Sequence, residues 1–246
     1  TAHADGLQRS FDLAAAPLAA FALYHLSDGD RLLLVLHHLI VDGVSWRILF
    51  EDLDQAYQQA VRGEKIALAP SGSYFQWARA QEDYARTPAL SEQVGYWKEA
   101  ETAPALRIPP DFDSPGNRYC DVVTLNSELD QAATQALLTG AHRAYRTQIN
   151  DLLLAALARA AKACCGTRRM RLLMEGHGRE EIAEGIDVTR TVGWFTTLFP
   201  AVLDLTGVDG LGDQIRGIKS GLRRIPGKGI GYGILRYLTP GTSFAR

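Results

Sequence analysis

Two stretches of the sequence place titratable side chains directly after apolar runs, and the first is His37–Gly43. The run Leu32–Leu36 precedes the pair His37 and His38, and Asp42 follows His38 by four residues. Successive side chains of a strand point to opposite faces, so His37 and His38 are predicted to diverge, which leaves one of them free to meet a substrate. If Asp42 is buried beside the end of this strand, its carboxylate needs a hydrogen-bonding or oppositely charged partner. The alternative stays open that His38 is a buried, hydrogen-bonded core residue.

The second stretch is Glu175–Glu180, with the sequence Glu-Gly-His-Gly-Arg-Glu. Glu175 follows the apolar run Leu172–Met174. Gly176 and Gly178 let the backbone of this stretch approach another surface closely. Arg179 follows Glu175 by four residues, as Asp42 follows His38. A bidentate salt bridge between Asp42 and Arg179 is therefore predicted, which would tie the two halves of the chain together. A solvated loop of alternating charges is the alternative.

Aromatic residues accompany these stretches. Trp194 and Phe195 are either core residues or part of a substrate site. Tyr232 lies in the glycine-rich run Pro226–Gly233, for which a flexible flap or the floor of an active site is predicted. The Gly-Lys-Gly of this run lacks the following Ser or Thr of a phosphate-binding loop.

Composition and spacing exclude several classes of protein and of site. The 246 residues are 46% hydrophobic and 22% charged, which is typical of a globular chain. The net charge of −2 argues against nucleic-acid or membrane partners. No apolar run is long enough to span a membrane and no signal peptide is visible, so a cytoplasmic location is expected. The three cysteines form no disulfide framework. A metal site is not expected, because adjacent strand residues diverge and no further ligand is suitably spaced.

Periodicity predicts a mixture of strands and helices. The predicted strands are Phe21–Leu26, Arg31–Val41, Asp121–Leu125, Met170–Met174 and Thr197–Leu205. The turn Ser27–Asp30 joins the first two, so a hairpin is predicted there. The predicted helices are Val44–Arg62, Ser73–Arg86, Ala89–Glu101, Leu129–Tyr145, Asn150–Cys165 and Gly212–Arg224. Residues 108–116 break all periodicity, which places a boundary near residue 110 and predicts an α/β layout with two lobes.

Taken together and in this order, the motifs resemble those of epimerization domains of nonribosomal peptide synthetases, a branch of the condensation superfamily. His37–Gly43 is similar to the HHxxxDG motif of that superfamily. Glu175–Glu180 resembles the motif that separates the epimerization branch from domains that form peptide bonds. Thr191–Pro200 and Pro226–Tyr237 look like later core motifs. The resemblance extends from Leu7 to Leu238 and covers about half of such a domain, so a partial domain is expected.

This resemblance implies a fold and a set of site residues. The implied fold is the two-lobed, chloramphenicol-acetyltransferase-like α/β fold, with a tunnel between the lobes. Residues 1–110 would belong to its N-terminal lobe and residues 111–246 to its C-terminal lobe. His38 and Glu175 are implied to be catalytic. The implied supporting residues are His37, Asp42, Gly43 and Arg179, and the implied tunnel residues are Trp194, Phe195 and Tyr232.

The implied activity is inversion of a Cα stereocentre from L to D. The substrate would be an aminoacyl or peptidyl thioester on the 4′-phosphopantetheine arm of a peptidyl carrier domain, with other synthetase modules as further partners. The domain itself would bind no cofactor. Two alternatives remain: a condensation domain in which His38 positions an amine for peptide-bond formation, and a non-catalytic docking module. Which of His38 and Glu175 removes the proton from the L-isomer stays open.

Overall fold

The computed structural model of the chain describes residues 2–106, 108–110 and 118–241. The chain divides into two compact units. The first comprises Thr1–Thr87 and Glu175–Thr197, and the second comprises Pro88–Met174 and Leu198–Arg246. The segment that carries Glu175 therefore returns to the unit that contains His38.

This division differs from the boundary predicted near residue 110, and packing explains the difference. Leu90 and Trp97 lie before residue 110 but are fully buried in the second unit. The Trp97 ring centroid lies 6.3 Å from that of Phe199 and 5.4 Å from that of Tyr232. The predicted linker lies partly outside the described residues. The assignment of residues 1–110 and 111–246 to the lobes of a larger domain stays a prediction.

The first unit is built on a β-hairpin and the helices that follow it. Strand β1 (Ala19–Leu26) pairs antiparallel with β2 (Gly29–Leu36), and Leu26 lies opposite Gly29. Ser27 and Asp28 thus form a two-residue turn, and Gly29 has a φ of +119°, which favours glycine. The predicted hairpin is confirmed. The helices of this unit are α1 (Ala2–Arg9), α2 (Gly43–Val61) and α3 (Tyr74–Tyr84).

The second unit packs helices against a two-stranded sheet of β3 (Arg169–Gly176) and β4 (Thr197–Asp204). Its helices are α4 (Pro88–Ser91), α5 (Val94–Thr102), α6 (Gln131–Gln135), α7 (Ala141–Tyr145), α8 (Ile149–Cys165), α9 (Leu211–Arg223) and α10 (Ile230–Tyr237). The core joins the small residues of α8 to Met170, Leu203 and Ile218. Only one face of α8 is buried, since Leu153 and Leu157 are exposed.

Several predicted elements differ from those observed. The strand predicted at Asp121–Leu125 is wrong, because a 3₁₀ turn at Tyr119–Asp121 is followed by irregular chain. A π-turn at Ala136–Gly140 interrupts the helix predicted at Leu129–Tyr145. The run Pro226–Gly233 forms a 3₁₀ turn and then the first half of α10, and its role as a flap or as the floor of an active site stays a prediction.

Two further findings concern the cysteines and the membrane. Cys120, Cys164 and Cys165 are all free thiols. Within the described part of the chain, every helix is too short or too polar to cross a bilayer.

Candidate active site

The histidine pair lies in a turn after β2, not on the strand. His37 is the N-cap of the 3₁₀ turn His38–Ile40, and its Nδ1 accepts the N–H two residues later at 3.2 Å. The His37 ring stands edge-on to Phe11, whereas the exposed His38 ring lies against Trp194. The two rings diverge as predicted, but the cause is the turn, because β2 ends at Leu36 and the alternation of a strand no longer applies.

Asp42 is a buried carboxylate, 2% exposed, whose acceptor sites are filled. It is the N-cap of α2 and accepts the N–H of Ser45 at 2.7 Å, and its Oδ1 lies 2.8 Å from Ser45 Oγ. Its Oδ2 accepts the N–H of Phe195 at 3.1 Å. A buried carboxylate is tolerated when hydrogen bonds and an opposite charge compensate for lost hydration.

Arg179 supplies that opposite charge from the second stretch. Its Nη2 lies 3.1 Å from Asp42 Oδ1 and its Nη1 lies 3.3 Å from Asp42 Oδ2, and the Arg179 side chain is 4% exposed. Nη2 also donates to Thr191 O at 3.0 Å, and the guanidinium lies 4.0 Å from the Phe195 ring centroid. Burial lowers the pKa of Arg179, while the charge of Asp42 acts in the opposite direction. The predicted salt bridge is confirmed, and both partners belong to the first unit.

The loop Gly193–Phe195 is hydrogen-bonded at three successive residues, to Ser45, to Tyr74 and to Asp42 of this ion pair. The N and O atoms of Gly193 lie 3.1 Å and 3.0 Å from Ser45 Oγ. Tyr74 Oη donates to the carbonyl oxygen of Trp194 at 2.8 Å, and Phe195 N–H donates to Asp42. A Cβ at Gly193 would collide with the Tyr74 ring. Sequence reasoning missed Ser45 and Tyr74. The position of Ser45, three residues after a helix N-cap, was the available signal.

The segment after Glu175 is held by its own histidine and by a glycine. Glu175 is exposed near the end of β3. The Nδ1 of His177 accepts the N–H of Arg179 at 3.1 Å, and its Nε2 lies 3.1 Å from Glu180 Oε1. Gly178 has a φ of +68°, and a Cβ there would overlap the carbonyl oxygen of Phe195. The predicted close approach of the glycine backbone is confirmed at Gly178.

The site residues suggested by the sequence fall into both units. The first unit contains His37, His38, Asp42, Gly43, Glu175, Arg179, Trp194 and Phe195. Phe195 is 4% exposed and packs against Tyr74 and Trp77, as a core residue does. Tyr232 lies in the second unit, where it is buried and donates to Glu101 at 2.6 Å. Among the described residues no cluster of three His, Cys, Asp or Glu side chains could hold a metal ion. The roles of all these residues stay predictions.

The sequence matches one protein family and several synthetases. Residues 1–243 match the Condensation domain family. Tyrocidine synthase 2 of Brevibacillus parabrevis is 45% identical over 237 residues, which is 96% of this chain and 7% of that relative. Bacitracin synthase 3 of Bacillus licheniformis is 42% identical over 242 residues, 98% of this chain and 4% of that relative. The chain thus spans a small part of the length of these relatives.

Solved structures give the same picture of the fold. The epimerization domain from the third module of tyrocidine synthetase B is 43% identical, with a TM-score of 0.88, and the match covers 100% of this chain and 56% of that one. The first condensation domain of the calcium-dependent antibiotic synthetase is 19% identical, with a TM-score of 0.68 over 91% of this chain and 52% of that one. At 19% identity the likeness shows the fold alone. The implied chloramphenicol-acetyltransferase-like α/β fold is confirmed.

Proposed function

The chain belongs to the Condensation domain family, and on that basis we propose that it is an epimerization domain, an isomerase that inverts a Cα stereocentre from L to D. Its substrate is an aminoacyl or peptidyl thioester on the 4′-phosphopantetheine arm of a peptidyl carrier domain. Other modules of a nonribosomal peptide synthetase are its further partners. The domain itself needs no bound cofactor for this reaction.

The observation that carries the proposal is a contrast in similarity. The chain is 43% identical to an epimerization domain over its whole length, but 19% identical to the condensation domain with which it shares the fold. The stretch Glu175–Glu180 resembles the motif of the epimerization branch. Amide formation has no need for a second titratable residue there, whereas inversion of a stereocentre does.

The side chains of the first unit suit the chemistry of inversion. A proton must leave Cα and another must return from the opposite face, while the thioester carbonyl stabilises the intermediate enolate. This requires a base and an acid, and each such group typically contributes about 10²–10⁴-fold. Glu175 and His38 are exposed and are the right types of side chain. In this proposal they exchange protons with Cα.

The buried ion pair is unsuited to proton transfer and leaves these two residues as candidates. Asp42 accepts hydrogen bonds from Ser45, Phe195 and Arg179, so its lone pairs are occupied. Arg179 is buried against Phe195 and bridged to Asp42. We therefore assign Asp42 and Arg179 to the support of the site, together with His37 and Gly43.

Deuterium exchange at Cα tests the proposal directly. The intact protein is mixed in D₂O with a carrier domain that bears an L-aminoacyl thioester, and deuterium at Cα is followed by mass spectrometry. Glu175→Gln keeps the shape of the side chain but removes the base, so exchange should fall by about 10²–10⁴-fold with little change in carrier affinity. Glu181→Gln is the matched control, since Glu181 is another exposed carboxylate of the same segment.

The second candidate function is peptide-bond formation, which the match to the Condensation domain family favours. In that case His38 would position an incoming amine, and the wild-type protein would show no exchange at Cα. It would instead transfer the acyl group to the amine of a loaded acceptor carrier domain, which forms an amide on that carrier and frees the thiol of the donor arm. Amide formation without exchange would overturn the epimerase proposal.

A further inference from the structure

The exposed ring of His38 has an aromatic neighbour. Within the described residues no hydrogen bond fixes the orientation of this imidazole. Its ring centroid lies 5.2 Å from that of Trp194, with the ring planes tilted by 52°. The terminal torsion of a histidine is broad, so a packed neighbour decides which orientation the ring adopts. Trp194 is placed to restrict the orientation of His38.

Trp194 itself is fixed through its backbone. Its carbonyl oxygen accepts the hydroxyl of Tyr74, Gly193 before it is bonded to Ser45, and Phe195 after it donates to Asp42. Three consecutive residues are thus hydrogen-bonded to side chains, of which Ser45 and Asp42 are buried. A residue held in this way presents its side chain in a defined place, which a catalytic group needs from its support.

The exposure of Trp194 argues against a purely structural role for the indole. Trp194 is 42% exposed, whereas the adjacent Phe195 is 4% exposed and fills the core. A tryptophan that served only the core would bury most of its area. Here the backbone of the loop is anchored inside the unit while the indole stays at the surface against His38.

We infer that Trp194 is a positioning residue for His38 and that it links the buried Asp42–Ser45 cluster to proton transfer. The inference rests on the proposed function of His38. Trp194 acts through the imidazole and not on Cα. Misplacement of a catalytic group by about 1 Å can cost about 10²-fold in rate. Loss of the indole should therefore lower kcat for exchange by about 10–100-fold, while KM for the loaded carrier domain changes little.

A double-mutant cycle on the intact protein tests this inference. Exchange at Cα is measured for wild type, Trp194→Ala, His38→Ala and the double variant. If Trp194 acts through His38, the double variant should be no slower than His38→Ala alone. Trp194→Phe, which keeps an aromatic ring, should restore most of the rate. Tyr57→Ala removes another exposed aromatic ring of the same unit and should leave the rate unchanged.

A second readout is the direction of inversion that each variant slows, because a loss of folded protein would slow both directions equally. Exchange is measured from the L-thioester and from the D-thioester. Trp194→Ala and His38→Ala should slow the same direction more, and Glu175→Gln the other. Trp194→Leu replaces Trp194→Ala in the cycle if the alanine variant does not fold.

Each outcome decides between the two proposals. The positioning role is overturned if the double variant loses exchange rate by the product of the two single losses, or if Trp194→Ala has the wild-type rate. If the wild-type protein forms an amide without exchange at Cα, the epimerase proposal is overturned instead. The same cycle measured on amide formation then decides whether Trp194 acts through His38, by the same criterion.

Discussion

The segment after β2 and the segment after β3 are built alike at their start. In each, a histidine ring accepts the N–H of the residue two positions later, at 3.2 Å for His37 and at 3.1 Å for His177. An exposed titratable side chain lies close to each of these histidines, His38 after β2 and Glu175 near the end of β3, but their surroundings differ. His38 packs against Trp194, whereas the carboxylate of Glu175 makes no hydrogen bond or ion pair within the described residues. One candidate is oriented by a neighbouring side chain and the other by its strand.

The two segments also share a buried charge placed four residues after the exposed one. Asp42 and Arg179 join the segments by the most buried ion pair of the described chain. A charge that is exposed can respond to a substrate, while a charge that is buried and paired cannot change its ionisation without disrupting the fold. The comparison thus separates residues that hold the site from residues that can react.

The largest expected effect is the loss of one partner of this ion pair. Asp42→Ala leaves the Arg179 charge buried without compensation, and Arg179→Ala does the same to Asp42. Each should lower the free energy of unfolding by about 3–5 kcal/mol, measured by urea titration. The double variant should lose less than the sum, since neither charge is then left alone.

A surface bridge is the control for this prediction. Arg62 pairs with Glu64 at 2.8 Å, with both side chains more than half exposed. Arg62→Ala should leave the urea midpoint unchanged, because exposed pairs contribute little. Equal shifts for Arg62→Ala and Asp42→Ala would mean that the buried pair does not hold the two segments together.

The glycines of the two segments sharpen the comparison. Gly178 has a positive φ, and a Cβ there would overlap Phe195 O, whereas a Cβ at Gly43 would meet nothing within 4 Å. Gly178→Ala should therefore destabilise the protein by about 1–3 kcal/mol, because the backbone is strained and must also move. Gly43→Ala is the matched control and should leave stability unchanged or raise it by up to about 1 kcal/mol, as alanine favours a helix. Equal shifts in melting temperature for Gly178→Ala and Gly43→Ala would show that the backbone at Gly178 is no more constrained than that at Gly43.

The parts that the sequence predicts are those with a local or complementary signal. The hairpin follows from the turn Ser27–Asp30, and α2 follows from the apolar period of Val44–Arg62. The ion pair was predictable because Asp42 and Arg179 carry opposite charges and each lies four residues after a titratable residue, His38 or Glu175. None of these inferences needed knowledge of how distant parts of the chain meet.

The parts that were missed depend on contacts between a side chain and a distant or unexpected backbone group. β2 ends at Leu36, and beyond it the His37 ring takes the N–H of Leu39, a bond within a turn that an apolar strand pattern does not reveal. Tyr74 supports the site through the carbonyl of Trp194, 120 residues away, and no periodicity reveals such a bond. The glycines of α10 concealed its helical period, although Ile230 and Ile234 are both buried.

The smallest expected effect concerns Tyr74, which lies beside the ion pair and holds the Trp194 loop. Burial raises the pKa of Tyr74, the charge of Asp42 raises it further, and Arg179 opposes this. A raised folded-state pKa means that the stabilisation is complete below the unfolded tyrosine pKa of about 10 and is lost as the pH rises through the folded value.

Tyr74→Phe removes this part of the pH dependence, and it removes one hydrogen bond worth about 1 kcal/mol at pH 8. Urea titrations at pH 8 and above pH 10 should therefore show a smaller loss of stability with pH for Tyr74→Phe than for wild type. The exposed Tyr57→Phe should behave as wild type, and equal losses for all three proteins would show that the Tyr74 hydroxyl is not coupled to the buried pair.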